Sequence, residues 1–152
     1  MPLVDTARRL AGALVRTVFA PRCRLCGAAG DADVPLCQPC ATDLPWLGPA
    51  CARCAVPLPA GQVCARCLRR PPPQTATFAA LEYGPPADRL LTEFKFGRRL
   101  AHARLLGALL APALVAWPGW RPPAALVPVP LHARRLRQRG FDQALEISRQ
   151  LG

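Results

Sequence analysis

Apolar residues recur at helical spacing from the start of the chain. Leu3, Ala7, Leu10, Leu14 and Val18 fall on one face with Val4, Ala11 and Val15 beside them, and Asp5, Arg8, Arg9 and Arg16 lie mostly elsewhere on the wheel. This predicts an amphipathic helix over residues 1–20, its apolar face packed on the rest of the protein; a membrane-surface or partner-binding helix is the alternative. The run LAGALV ends at Arg16 and no small-residue cleavage site follows, so a signal peptide is not expected. Nowhere do eighteen apolar residues stand in a row, so no membrane span is expected either. The pattern then falls silent until residue 75. TATFAALEY (75–83) has strand character and is broken by Gly84, Pro85 and Pro86. ADRLLTEFKF (87–96) and LAHARLLGALLAPALVAW (100–117) read as two helices around Gly97, the second kinked or shortened by Pro112. After PGWRPP comes AALVPV (124–129), a compact apolar strand, and then a last helix. The order strand, helix, helix, strand, helix is that of an α/β domain.

What fills the silent stretch is cysteine. All eight cysteines occur as Cys-x-x-Cys pairs, Cys23/Cys26, Cys37/Cys40, Cys51/Cys54 and Cys64/Cys67, separated by ten, ten and nine residues. A tetrahedral zinc takes four soft ligands, and a two-residue spacer lets one tight turn present two thiolates along an edge of the tetrahedron. Four turns therefore make two sites, and Gly27 after Cys26 suits a turn that wants a positive backbone angle. Ribbons this small have almost no core, so metal binding supplies their folding free energy. A disulfide scaffold would need an oxidising compartment, and a redox Cys-x-x-Cys normally occurs once near a βαβ pattern. Four thiolates leave zinc no open position, so the role is structural and not catalytic. The turn residues of DLPWLGPA (43–50) favour consecutive sites, Cys23, Cys26, Cys37, Cys40 and then Cys51, Cys54, Cys64, Cys67; a cross-braced pairing stays open.

Charge adds a second kind of candidate chemistry. The chain of 152 residues has a formal charge of +11, nearly all of it arginine, with Lys95 the single lysine. Ala, Pro, Arg and Leu abundance looks like a composition bias, yet the excess still favours anionic partners, nucleic acid or phosphorylated small molecules. Two zinc sites of four thiolates each, at about −2 apiece, would lower it. Arg22, Arg24, Arg53, Arg66, Arg69 and Arg70 crowd the cysteines, where electrostatic balance competes with nucleic-acid contact; only Trp46 lies among them for base stacking. The denser cluster follows the second apolar run. Leu126 to Leu131 feeds directly into Arg134, Arg135, Arg137 and Arg139, then Gly140 and a helix start. A strand opening through a basic loop into a helix is where an α/β sheet takes an anion, so phosphate is the expected ligand of this loop. His132 beside it is a candidate donor to an anion, and His102 reads as structural. Glu93 and Lys95 sit on a helix whose default reading is a solvated face, and nothing resembles a nucleophile with an adjacent base.

Four Cys-x-x-Cys pairs, a proline run (Pro71 to Pro73), EYGPPADRLLTEFKFG and LVPVPLHARRLRQRGFDQA, in that order, resemble the ComF family, which joins a double zinc ribbon to a phosphoribosyltransferase-like domain. The resemblance implies a zinc-ribbon module followed by an incomplete α/β phosphoribosyltransferase-like domain, with Arg134, Arg135, Arg137, Arg139, Gly140 and Gln143 on the pyrophosphate or phosphate side. It implies a cytoplasmic protein tied to DNA uptake during competence, with a phosphorylated small molecule, DNA or a helicase as partner. A non-enzymatic ribbon adaptor for DNA or a helicase is the alternative. The expected organisation is an N-terminal helix over 1–20, a double zinc ribbon over 21–70, a linker over 71–76 and the transferase-like part over 77–152.

Two departures from the family accompany the resemblance. Its Asn is Asp142 here, which would repel phosphate if it faced the ligand and would be harmless if it capped the helix. The family's acidic pair and Thr-rich 5′-phosphate loop do not occur before Gly152, so the chain is expected to lack the C-terminal part and to be inactive alone. Magnesium with phosphoribosyl pyrophosphate would belong to the full-length protein.

Overall fold

The computed structural model describes residues 21–31, 34–59, 62–118 and 120–152, and the helix expected over 1–20 lies outside them. The chain divides into two compact units, Met1–Asp43 and Leu44–Gly152, so the division falls between the two halves of the cysteine-rich region.

In the first unit the chain turns at Cys23–Gly27. Gly27 has φ +80°, and its N–H donates to the carbonyl of Cys23 at 2.9 Å. Cys23 N–H donates to Ala28 at 2.7 Å, and a single bridge joins Arg22 to Ala29. The second pair sits on a short helix, α1 (Gln38–Thr42), whose N-cap is Cys37. Pro39 suits the first turn, because its missing N–H would have no partner there.

The second unit begins with the same device. Ala55 N–H donates to Cys51 at 2.7 Å, Cys51 N–H to Val56 at 2.9 Å, and one bridge joins Ala50 to Pro57. Cys64 caps α2 (Ala65–Arg69). The chain then runs extended, and residues 77–82 return along this ribbon. Thr77 N–H donates to Ala52, Leu47 N–H to Ala80 and Glu82 N–H to Pro45 at 2.8–3.0 Å, and Trp46 bridges Leu81.

Four helices follow: α3 (Ala87–Phe96), α4 (Ala101–Val115), α5 (Ala133–Arg139) and α6 (Gln143–Ser148). The first two match the apolar periodicity. α3 buries Ala87, Leu90 and Phe94 at spacings of three and four, has Asp88 in its first turn and Lys95 in its last, and stops at Gly97. α4 buries Leu105, Leu106 and Leu109 and continues past Pro112 to Val115. α4 packs against both α3 and α6, and the core gathers Phe94, Ala103 and Leu106 with Leu91, Phe141 and Ile147 against them. Phe94 and Phe141 are tilted rings 5.4 Å apart. Burying a Leu or Phe in this way contributes roughly 1.5–3 kcal/mol each. His102 is also buried, with Nε2 3.4 Å from Glu93 Oε2, and Glu93 accepts from Arg89 as well.

Two expectations meet a different local structure. The stretches 75–83 and 124–129 are extended, but among the described residues there are isolated bridges and no strand ladder. Strand character needs a partner row of donors and acceptors; residues 80–82 find a few in Pro45, Trp46 and Leu47, and Pro128 removes an N–H group from the other stretch, with Pro130 removing one just after it. The basic loop expected at Arg134–Arg139 is helical: α5 is made of good helix formers, begins where His132 Nδ1 accepts from Arg134 N–H at 3.2 Å, and ends at Gly140 in the left-handed conformation, φ +83°.

Candidate metal centres and basic surface

The turns just described bring the eight cysteine sulfurs into two clusters, Cys23, Cys26, Cys37, Cys40 and Cys51, Cys54, Cys64, Cys67, each with all four sulfurs within 4.8 Å of one another. This is the consecutive pairing. Cys26 and Cys37 Sγ are 3.5 Å apart and Cys54 and Cys64 Sγ 3.8 Å apart, too far for disulfides. The distances suit zinc: four sulfurs at about 2.3 Å from one ion stand about 3.8 Å from each other. The donor set is closed, with no position for water or substrate, so both sites are consistent with two structural zinc ions.

Backbone groups prepare each cluster for a cation. Burial disfavours the Cys23 thiolate, yet N–H groups of Cys26, Cys37 and Leu25 converge on it and, with the Cys26 thiol, hold its pKa down at about 6. In the second cluster the Cys64 N–H donates to Cys51 Sγ at 3.3 Å, and this, against burial and with further N–H groups of Cys54 and Arg53, brings Cys51 down to about 6. The last cysteine behaves oppositely in both. Burial and the neighbouring thiols push Cys67 up to about 12, and Cys40 is pushed up by Cys37 and Cys26 first. Without metal, then, one thiolate per cluster forms readily and its charge resists the next; a divalent ion removes that conflict.

The second candidate site divides along the helix. Because α5 is helical, Arg135, Gln138 and Arg139 share one face, and Arg134 and Arg137 do not line it. That face and the end of α3 enclose a cavity of about 390 Å³ lined by Lys95, Phe96, Arg135, Gln138 and Arg139, without an acidic residue. Arg139 is placed by two neighbours: its Nη1 donates to Oε1 of the buried Gln143 at 2.8 Å, and its guanidinium lies 5.2 Å from the Phe96 ring centroid. Arg98, at φ +51°, donates from Nη2 to the Gln138 carbonyl at 3.2 Å. Asp142 takes no part in this surface. Its Oδ1 accepts from Ala144 and Leu145 N–H as the N-cap of α6, and its Oδ2 accepts from Leu131 N–H at 2.8 Å. His132 Nδ1 is likewise an acceptor at the α5 cap. Gly140 serves the turn. Of the residues expected to hold phosphate, Arg135, Arg139 and Gln143 come together; Lys95, read from the sequence as part of a solvated helix face, joins them with Phe96 and Arg98, which were not singled out although KFGRR, basic residues around an aromatic one, carried the signal. A larger cavity, about 690 Å³, lies between the end of α4, Pro122–Leu126 and the end of α6; Leu114, Val115, Trp120 and Leu126 make it mainly apolar, and Arg149, its charged lining residue, is paired with Glu146.

Two closed four-cysteine sites on repeated turns define a double zinc ribbon, and residues 14–68 match the double zinc ribbon domain family. The chain is also similar to proteins named DNA utilization protein YhgH. It is 33% identical over 113 residues to that of Salmonella typhimurium, covering 72% of this chain and 50% of the relative. To that of Escherichia coli K12 it is 35% identical over 98 residues, 62% of this chain and 43% of the relative. To that of Escherichia coli O157:H7 it is 31% identical over 125 residues, 80% and 49%. The chain thus spans about half the length of the curated relatives it matches. No solved structure matches it. Among the described residues no helix is long and apolar enough to cross a membrane.

Proposed function

We propose that this protein takes part in DNA handling during uptake, as a ComF-like protein whose zinc ribbons are structural and whose α5 face binds phosphate groups. The observation that carries the phosphate part is the placement of Arg135 and Arg139 one helical turn apart, about 6 Å along the axis, beside Lys95 and with no carboxylate between them. The likeness to DNA utilization proteins at 31–35% identity supports DNA as the source of the phosphates. In the phosphoribosyltransferase-like form of this reading the same arginines face the pyrophosphate of phosphoribosyl pyrophosphate with magnesium; that form rests on the resemblance of residues 77–152. A cytoplasmic site of action and a helicase partner belong to the same proposal.

The test is DNA binding by the zinc-loaded chain, followed by fluorescence anisotropy at several salt concentrations. Affinity should fall steeply with salt, and Arg135→Gln should weaken it and flatten the slope by about one phosphate contact, about 0.7–0.9 in log K against log salt. Binding that survives neutralising Arg134, Arg135, Arg137 and Arg139 together would move the DNA contact to the ribbons.

A further inference from the structure

The two cysteine clusters have the same four donors and different covers. In the first, Cys23 is buried, Cys37 and Cys40 are half-buried and Cys26 is exposed; in the second, no cysteine is exposed. The residue after the second cysteine of each turn shows why. Beside Cys26, a methyl group placed on Gly27 would meet no atom within 4 Å other than its chain neighbours. Beside Cys54, Ala55 lines a cavity of about 280 Å³ walled by Thr77, Phe78 and Trp117, so the returning stretch 77–82 stands over that turn. The Phe78 and Trp117 rings, 5.6 Å apart, close the same side. Charge differs in the same sense. Arg22 Nη1 donates to the Gly27 carbonyl at 3.3 Å, which holds a guanidinium at the open turn, and the matching position of the second ribbon is Ala50. A cation there favours a charged sulfur and helps an anion to leave it. A second sulfur is also at hand, since Cys37 Sγ lies 3.5 Å from Cys26 Sγ.

We infer that Cys26 is a site of reversible oxidation by peroxide, with Cys37 as its resolving partner, so that the first ribbon gives up its metal under oxidant while the second keeps it. The Cys26 thiolate attacks one peroxide oxygen; an S–O bond forms, the O–O bond breaks, and hydroxide leaves to take up a proton. The Cys37 thiolate then attacks the Cys26 sulfur; an S–S bond forms, the S–O bond breaks, and a second hydroxide leaves. Two thiolates have thereby given two electrons to one peroxide. The disulfide carries no charge to hold a divalent cation, and Cys23 and Cys40 alone make an incomplete donor set. A thiol reductant restores both thiolates by exchange.

The test treats the zinc-loaded full chain with hydrogen peroxide and follows metal release with a chelating dye. About one zinc per chain should leave about tenfold faster than the other, and peptide mapping after alkylation of the remaining thiols should find Cys26 joined to Cys37. Dithiothreitol with added zinc should return the metal. Cys26→His keeps four donors of a kind that zinc accepts and removes the oxidisable sulfur, so it should slow the fast release about tenfold; Cys54→His should leave that release as it is. If a variant does not hold two ions, the disulfide map and release rates of the parent decide. Release of both ions at one rate, or a first disulfide between any other two cysteines, would overturn the inference and leave the metal sites standing. A parent chain that holds no zinc would overturn the metal reading and this inference with it.

Discussion

The two ribbons are one design executed twice, about 28 residues apart. Each begins with a cysteine whose N–H bonds across the turn, Cys23 to Ala28 and Cys51 to Val56, and closes the turn with the N–H after the second cysteine. In each, the second pair opens a short helix from its N-cap. They differ at two points. The residue in the left-handed conformation is Gly27 in the first and Ala55, at φ 56°, in the second. The second also has the chain from 77 to 82 bonded along it, including Thr77 Oγ1 to the Arg53 carbonyl at 2.6 Å. Glycine is therefore not what makes the turn: the same N–H to carbonyl bonds close it in both ribbons, and alanine is held there at a cost. Among the described residues, the second ribbon, strained in its turn, is the one with outside support.

The largest break in this symmetry should come from removing a ligand. Cys51→Ser should reduce bound zinc from about two to about one per chain and should also expose the amides of Thr77 and Glu82, because their partners, the carbonyls of Ala52 and Pro45, lie on or beside the ribbon that collapses. Cys37→Ser should lose as much zinc and leave those amides protected. Metal analysis with hydrogen exchange reads both; equal exposure from the two variants would remove the asymmetry.

Acid should act on both ribbons alike. In the metal-free protein Cys23 and Cys51 have folded values of about 6 against an ordinary 9. Their contribution to stability is thus complete above about pH 9 and lost as pH falls through about 6. Cys40 and Cys67 shift upward and must give up a proton to bind zinc, so zinc affinity should rise with pH in both sites. Chelator competition between pH 6 and 8 should show parallel curves, and a ribbon that holds its zinc independently of pH would separate the pair.

A smaller effect tests the outside support. Thr77→Val removes the bond to Arg53 and keeps the shape, which should cost about 1–2 kcal/mol and speed zinc loss from the second site only. Equal loss from both sites, followed by a chelating dye, would show that the strap does not belong to the second ribbon.

The sequence announced these ribbons because their chemistry is local. Cys-x-x-Cys spacing, Gly27 and the turn residues at 43–50 were enough to give two four-cysteine sites and to favour the consecutive pairing over a cross-braced one, which the sulfur positions then decide. Helices α3 and α4 were legible for the same reason, a repeat of three and four that needs no distant partner. The extended stretches were not, since whether 75–83 and 124–129 become strands depends on partners far along the chain. The α5 surface was half legible: Arg135 and Arg139 stood out as charge, but a helix and not a loop decides which arginines share a face. Phe96 was hidden because exposure of a ring has no signature in a periodic pattern that would equally bury it.

The smallest predicted effect bears most directly on why Ala55 is tolerated. Left-handed backbone costs an alanine about 1–2 kcal/mol, and glycine in its place gives back about 0.5–1 kcal/mol through the freer unfolded chain. Ala55→Gly should therefore stabilise the second ribbon by about 0.5–1 kcal/mol and tighten its zinc a few-fold, whereas Gly27→Ala should weaken the first by about 1 kcal/mol. Chelator competition on the two single variants measures both signs. Opposite shifts mean that the metal and the strap hold a strained turn in the second ribbon; a loss of affinity in Ala55→Gly would mean that the alanine methyl packs usefully, and that the second turn has its own design and is no strained copy of the first.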